Sequence, residues 1–137
     1  MSRCGYSDDI DSWDLIRWRG AVASAIRGMR GQSFLREMLN ALDALTEKEL
    51  IANELIDGKG AVCAIGSVGK ARGMDMSRID YEDPYTVAKA FGISEALAQE
   101  IEYINDERTD WDGTLLPQKR FDLVREWILE QLIYEVS

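Results

Sequence analysis

Gln32-Ser33-Phe34-Leu35-Arg36-Glu37-Met38-Leu39-Asn40-Ala41-Leu42-Asp43-Ala44-Leu45 is the stretch on which the fold turns. Phe34, Leu35, Met38, Leu39, Leu42 and Leu45 recur at three- and four-residue spacing, so in a helix they share one face. Arg36, Asn40 and Asp43 fall opposite, which makes residues 32–45 the cleanest amphipathic segment in the chain. A helix with one apolar face needs other elements to cover it, and the flanking sequence offers more helices.

Upstream, Leu15, Trp18, Val22, Ile26 and Met29 form a second stripe of helical spacing. Asp11 or Ser12 can cap that helix, and Gly28 and Gly31 mark its exit. Downstream, Thr46 and Glu49 have capping-box spacing, which predicts a helix start. Residues 50–56 then read equally as a short helix or as the first arm of a hairpin turning at Asp57-Gly58-Lys59-Gly60. Residues 61–73 are small, with Val62, Ile65, Val68 and Ala71 in helical register. Gly66 and Gly69 would let that helix approach a neighbour closely. Asp83-Pro84 starts a short helix that ends at Gly92, and Ser94 caps another over about 95–105, with Leu97, Ile101 and Ile104 inward. Residues 106–112 are a polar link, and Pro117 opens a last helix carrying Phe121, Val124, Trp127, Ile128 and Leu132. The expected fold is all-α: a compact single-domain bundle of five to seven helices over residues 1–137. A short hairpin near 50–65 remains an open alternative, and residues 1–10 are expected to be a flexible or docking arm.

Composition narrows the chemistry. The 137 residues include 16 basic and 25 acidic side chains, a net charge of −9, and no histidine. One domain is the default at this length, and the 46% apolar content suits a real core. Without histidine there is no Ser-His-Asp or Cys-His nucleophile system and no imidazole acid, base or metal ligand. Cys4 and Cys63 are the only thiols and do not make a zinc site. No catalytic residue, metal site or cofactor is therefore expected. The N-terminus has no apolar run of signal-peptide type, and no stretch reaches the ~18 apolar residues of a membrane span. The expectation is a protein of the reducing cytoplasm with no membrane contact.

The charge is unevenly spread. Residues 15–36 hold five arginines (Arg17, Arg19, Arg27, Arg30 and Arg36) and no acid, whereas residues 95–112 hold seven acids and one base. Solvated helix faces explain much of this. The sharper reading is an acidic surface for a basic partner, with Glu95, Glu100, Glu102, Asp106, Glu107, Asp110, Trp111 and Asp112 as the candidate partner-binding residues. Trp13 and Trp111, beside acids near segment ends, are candidate protein-binding anchors.

Other motifs read as structure. Residues 88–101 have helix-turn-helix spacing about Gly92, but the would-be recognition helix carries Glu95, Glu100 and Glu102, which a duplex would repel. Gly66-Ser67-Val68-Gly69-Lys70-Ala71 misses a phosphate loop, with Ala64 where Gly is required and Ala71 where Ser or Thr is required. The carboxylate groups Asp8-Asp9-Asp11, Asp80-Glu82-Asp83 and Asp106-Glu107-Asp110-Asp112 read as caps and solvated loops, and the last lacks the spacing of an EF-hand.

The segment Cys63-Ala64-Ile65-Gly66, followed by Asn105-Asp106 and a C-terminal amphipathic helix over 121–132, resembles small uncharacterised proteins of tailed phages and prophages. Those proteins carry a Cys-Ala-Leu-Gly or Cys-Leu-Gly helix; Ile65 stands here in place of the leucine. Residues 4–9 and the segment from Trp18-Arg19-Gly20-Ala21 to Arg30-Gly31 are also similar to them. The resemblance implies an accessory protein made in a bacterial host cell during infection or lysogeny. It implies no catalytic residue.

Three functions compete. The first is a stoichiometric protein binder of a host factor, such as an inhibitor of a defence system of the CRISPR–Cas kind. Its acidic region would occupy a basic nucleic-acid-binding effector. The second is a nucleic-acid-binding regulator using residues 17–36 or the corner at Gly92, although the charge disfavours direct nucleic-acid contact. The third is a small carboxylate enzyme built on Asp8, Asp9 or Asp106 with arginines.

Overall fold

The computed structural model describes residues 12–107 and 115–133. Its six helices are α1 (Ser12–Arg27), α2 (Met29–Ala44), α3 (Ala64–Arg72), α4 (Pro84–Phe91), α5 (Glu95–Asp106) and α6 (Pro117–Gln131). Among the described residues there is no strand, and one buried cluster unites all six helices. The fold is an all-α bundle, and no described helix is long and apolar enough to cross a membrane.

Two helices organise the rest. α2 buries Phe34, Leu35, Met38 and Leu42 as its periodicity predicts and packs against α1, α3 and α6. α5 packs against α1, α3, α4 and α6, so it is covered from several sides. Its ends follow local rules. Asp83 caps α4 by accepting from the Tyr85 amide, and Pro84 fills the first helical position. Gly92 leaves α4 with φ +75°, a conformation that costs a side chain dearly, and Ser94 then caps α5 through the Leu97 amide.

The corner between α1 and α2 departs from the sequence reading. Met29 is not on the inward stripe of α1. It is the first residue of α2 and is 91% exposed, because the extended backbone at Gly28 (ψ 159°) breaks the register there. α2 thus begins three residues earlier than its apolar pattern indicates. Gln32 is buried at this corner and ties it down. Its Nε2 donates to Ile26 O (2.8 Å) and Gln131 O (3.0 Å), and its Oε1 accepts from the Ile133 amide (2.8 Å).

No helix starts at Thr46, contrary to the capping-box spacing. Lys48 is used instead to close α2: its ammonium donates to Asp43 O at 2.6 Å and Leu45 O at 2.7 Å, among the carbonyls a helix end leaves bare. Of the two readings for residues 50–56, the hairpin arm is the one adopted. It is reduced to a single antiparallel bridge, Ile56 to Val62. Asp57 builds the turn, its carboxylate accepting from the Lys59 and Ala61 amides. The following helix starts at Ala64, not residue 61, and Ala71 on it is exposed.

Gly66 and Gly69 do permit close approach. A Cβ on Gly66 would run into the Leu55 carbonyl, and one on Gly69 into the Met76 thioether. Gly20, by contrast, faces open space on α1. Gly66→Ala should therefore cost about 1–3 kcal/mol of stability through backbone displacement. Gly20→Ala should add up to about 1 kcal/mol through helix propensity. Urea denaturation of the two variants checks both signs.

Candidate functional site

The acidic segment does not form one outer face among the described residues. Glu95 and Glu107, at the two ends of α5, are exposed. Glu100 is only 8% exposed and Glu102 only 1%, so neither is presented to a partner in this fold. This corrects the expectation for those two residues. The reason is that α5 is packed by four helices, so burial extends well beyond the Leu97, Ile101 and Ile104 stripe. Asp106 is half-buried, and Asp110, Trp111 and Asp112 lie outside the described residues.

Asp106 belongs to a polar cluster inside the bundle. Its carboxylate accepts from the Tyr81 hydroxyl at 2.5 Å, the Asn105 side chain at 2.6 Å and the Asn53 amide at 3.2 Å. Asn105 lies in the last turn of α5, buried, and Asn53 is the one non-glycine residue with positive φ (69°) among the described residues. The Asn105 amide is heavily used: Oδ1 accepts from the Ala64 amide (3.0 Å), and Nδ2 donates to Ile51 O (2.9 Å) as well as to Asp106. Arg120 of α6 completes the assembly by donating to Asn105 O (2.8 Å) and Leu50 O (3.3 Å).

The two short motifs Cys63-Ala64-Ile65-Gly66 and Asn105-Asp106 therefore meet in space. Together they satisfy the start of α3: Asn105 takes the Ala64 amide, and the Cys63 sulfur takes the Gly66 amide at 3.3 Å. Cys63 is 1% exposed. Burial, with the Asp106 and Glu102 carboxylates adding to it, pushes its thiol up to about 12. Burial also pushes the Tyr81 phenol up. A protonated thiol sealed in the core is a capping group, not a nucleophile. The resemblance that pairs the two motifs is the only sequence signal for this cluster; Arg120 gives none.

The remaining motifs resolve into structure. The α4–Gly92–α5 corner has the expected tight turn, but its second helix is packed inside the bundle, not offered to a groove. Gly66 to Lys70 lies within α3, and Lys70 donates to Gly60 O. Asp80 and Asp83 serve turns and caps through the Glu82 and Tyr85 amides. Asp8, Asp9 and Asp11 lie outside the described residues, which contain no group of three or more potential metal ligands.

The surface that does emerge is on α1. Val22 and Ile26 face the core, with Leu15, Trp18 and Ala25 half-buried beside them. The opposite side of the helix carries Trp13, Ile16, Arg17, Gly20, Ser24 and Arg27, all exposed. Trp13 is 70% and Ile16 63% accessible, large values for such side chains. All five arginines of residues 15–36 are exposed. Arg19 stands at the edge of a cleft of about 460 Å³ between α1, α5 and α6, whose lining includes Glu100, Tyr103, Ile104 and Trp127. Of the other tryptophans, Trp18 is half-buried and Trp127 is core.

No protein family matches the chain, and neither does a curated protein or a solved structure.

Two measurements probe the buried cluster. In a Cys4→Ser background, Cys63 should fail to react with Ellman's reagent at about pH 8 while folded and react fully in denaturant. Asn105→Ala should cost about 1–3 kcal/mol in a urea titration, since it strands the Ala64 amide in the interior.

Proposed function

We propose that this protein is a binding module that acts by protein–protein contact, an accessory protein of phage type whose partner is a host protein. The observation that supports the reading is the outward side of α1, where Trp13 and Ile16 project into solvent one turn apart with Arg17 beside them. Tryptophan and arginine are the residue types that most often dominate binding energy at protein interfaces. Leaving Trp13 and Ile16 in water gives up burial worth roughly 1.5–3 kcal/mol for each such side chain, which a partner can recover. The helix that presents them is packed on its other side through Val22 and Ile26, with Leu15 and Trp18 half-buried, so the same helix has one side in the core and one in solvent. Stoichiometric blocking of a host factor, of the kind that disables a bacterial defence system such as CRISPR–Cas, is the mode of action this reading carries.

The docking residues thus lie on α1 in place of the acidic stretch 95–112, of which only Glu95 and Glu107 are exposed among the described residues. The experiment is affinity capture from bacterial lysate with the wild type and with Trp13→Ala/Ile16→Ala. Loss of an interface anchor worth about 2 kcal/mol lowers affinity roughly thirtyfold. The variant should therefore recover far less of the wild-type partner while keeping the same thermal midpoint. Equal recovery by both proteins would remove α1 as the docking element.

A further inference from the structure

We infer that the partner docks on α1 with an acidic protein surface, one that sets carboxylates around an apolar socket. This rests on the reading of α1 as the docking element and names the chemistry it selects.

Charge complementarity carries the inference. Residues 15–36 hold five arginines and no acid, and all five are exposed. Two acids border this run. Asp14 sits beside it at the start of α1. Glu37 is already committed: Arg72 of α3 grips it with two bonds of 2.6 and 2.7 Å and holds its carboxyl below the usual range. Arg17 and Arg27 share the outward side of α1 with Trp13 and Ile16, so an apolar pair at its start is followed by cations along one strip. Guanidinium groups there match carboxylates in forked, two-bond geometry.

The rest of the chain sharpens the choice. Outside residues 15–36 it holds 11 bases against 25 acids. An acidic partner is repelled by most of the molecule and attracted at one place, which gives orientation as well as encounter rate. The alternatives fit less well. A phosphate backbone would satisfy the arginines but offers no socket for Ile16. A lipid surface needs a broad apolar helix face. On α1 that face is spent on Val22 and Ile26, and Trp13 and Ile16 are the only large apolar groups on its outward side.

The test uses full-length protein with a photo-crosslinking residue in place of the exposed Ser24, on the same side of α1, in nuclease-treated bacterial lysate. Four proteins are compared: this one, and the same protein carrying Arg17→Glu/Arg27→Glu, Arg17→Lys/Arg27→Lys, or Trp13→Ala/Ile16→Ala. Circular dichroism confirms that each is folded. The inference requires a captured protein whose crosslinked peptides are rich in Asp and Glu. Its capture should fall at least about tenfold with the glutamate pair and on raising NaCl from about 50 to about 500 mM, and the lysine pair, which keeps the charge but not the forked bonds, should fall between the wild type and the glutamate pair. Capture that survives the glutamate pair but not the alanine pair leaves α1 as the docking element and overturns the acidic partner. Capture indifferent to both pairs, or no capture, overturns the docking element itself. A gel shift of plain DNA or RNA duplexes by the wild type, lost in the glutamate pair, or its binding to phosphatidylglycerol vesicles, would replace the protein partner with nucleic acid or lipid.

Discussion

The structure depends on one buried amide. Asn105 projects from the central helix α5 to the start of α3, where its oxygen takes the Ala64 amide and its nitrogen donates to Ile51 O. Each bond crosses a long stretch of sequence, so this one side chain sets the 45–63 segment, α3 and α5 at fixed distances. Around it, Arg120 brings α6 to the same point and Asp106 brings Tyr81. A polar network in a helical core is tolerable only when its groups are bonded, because stranding a buried donor or acceptor costs more than the bond contributes when made. The segment between α2 and α3 has a single antiparallel bridge and no strand among the described residues, so these side chains add to the few backbone bonds, such as Ile51 N to Val62 O and Cys63 N to Leu55 O, that hold it.

A second consequence concerns charge. An acidic protein is easily read as an acidic surface, yet two of the carboxylates that suggested one, Glu100 and Glu102, are held in the bundle. Other acids, Glu47, Glu54, Glu82 and Glu126 among them, are exposed at scattered places, whereas the arginines of residues 17–36 are exposed close together in sequence. Arg27 and Arg30 are exposed at the α1–α2 corner and Arg17 earlier on α1, and Arg72 and Arg125 instead tie helices together through Glu37 and Asp43. Arg72 also lies 5.8 Å from the ring centres of both Phe34 and Phe91, so one arginine joins α2, α3 and α4. Charge balance along a sequence therefore counts groups that the fold uses in quite different ways.

Most helices were legible because their signals are local. Asp83-Pro84, Gly92, Ser94 and Pro117 act on the neighbouring backbone, and the apolar period of α2 survives any arrangement of its neighbours. The errors have physical causes of longer reach. Thr46 and Glu49 have the right spacing for a cap, but Lys48 closes α2 at that point and the chain leads away into the hairpin. Met29 continues the period of α1 on paper, and the extended backbone at Gly28 rotates it out to solvent. The candidate docking side of α1 was half legible. Trp13 stood out beside acids near a segment end, whereas Ile16 had no signal, because exposure depends on which side of α1 the other helices cover.

The sequence by itself determined the class of fold, the helix ends that carry their own caps, and the absence of histidine chemistry, since each follows from residue type and near-neighbour spacing. Only the tertiary structure decided that Cys63-Ala64-Ile65-Gly66 and Asn105-Asp106 form one buried assembly. It alone decided that α5 lies inside the bundle and that the arginine-bearing side of α1 lies outside. Periodicity specifies that a helix has an inner and an outer side; how many neighbours enclose it is settled by packing among residues far apart in the chain.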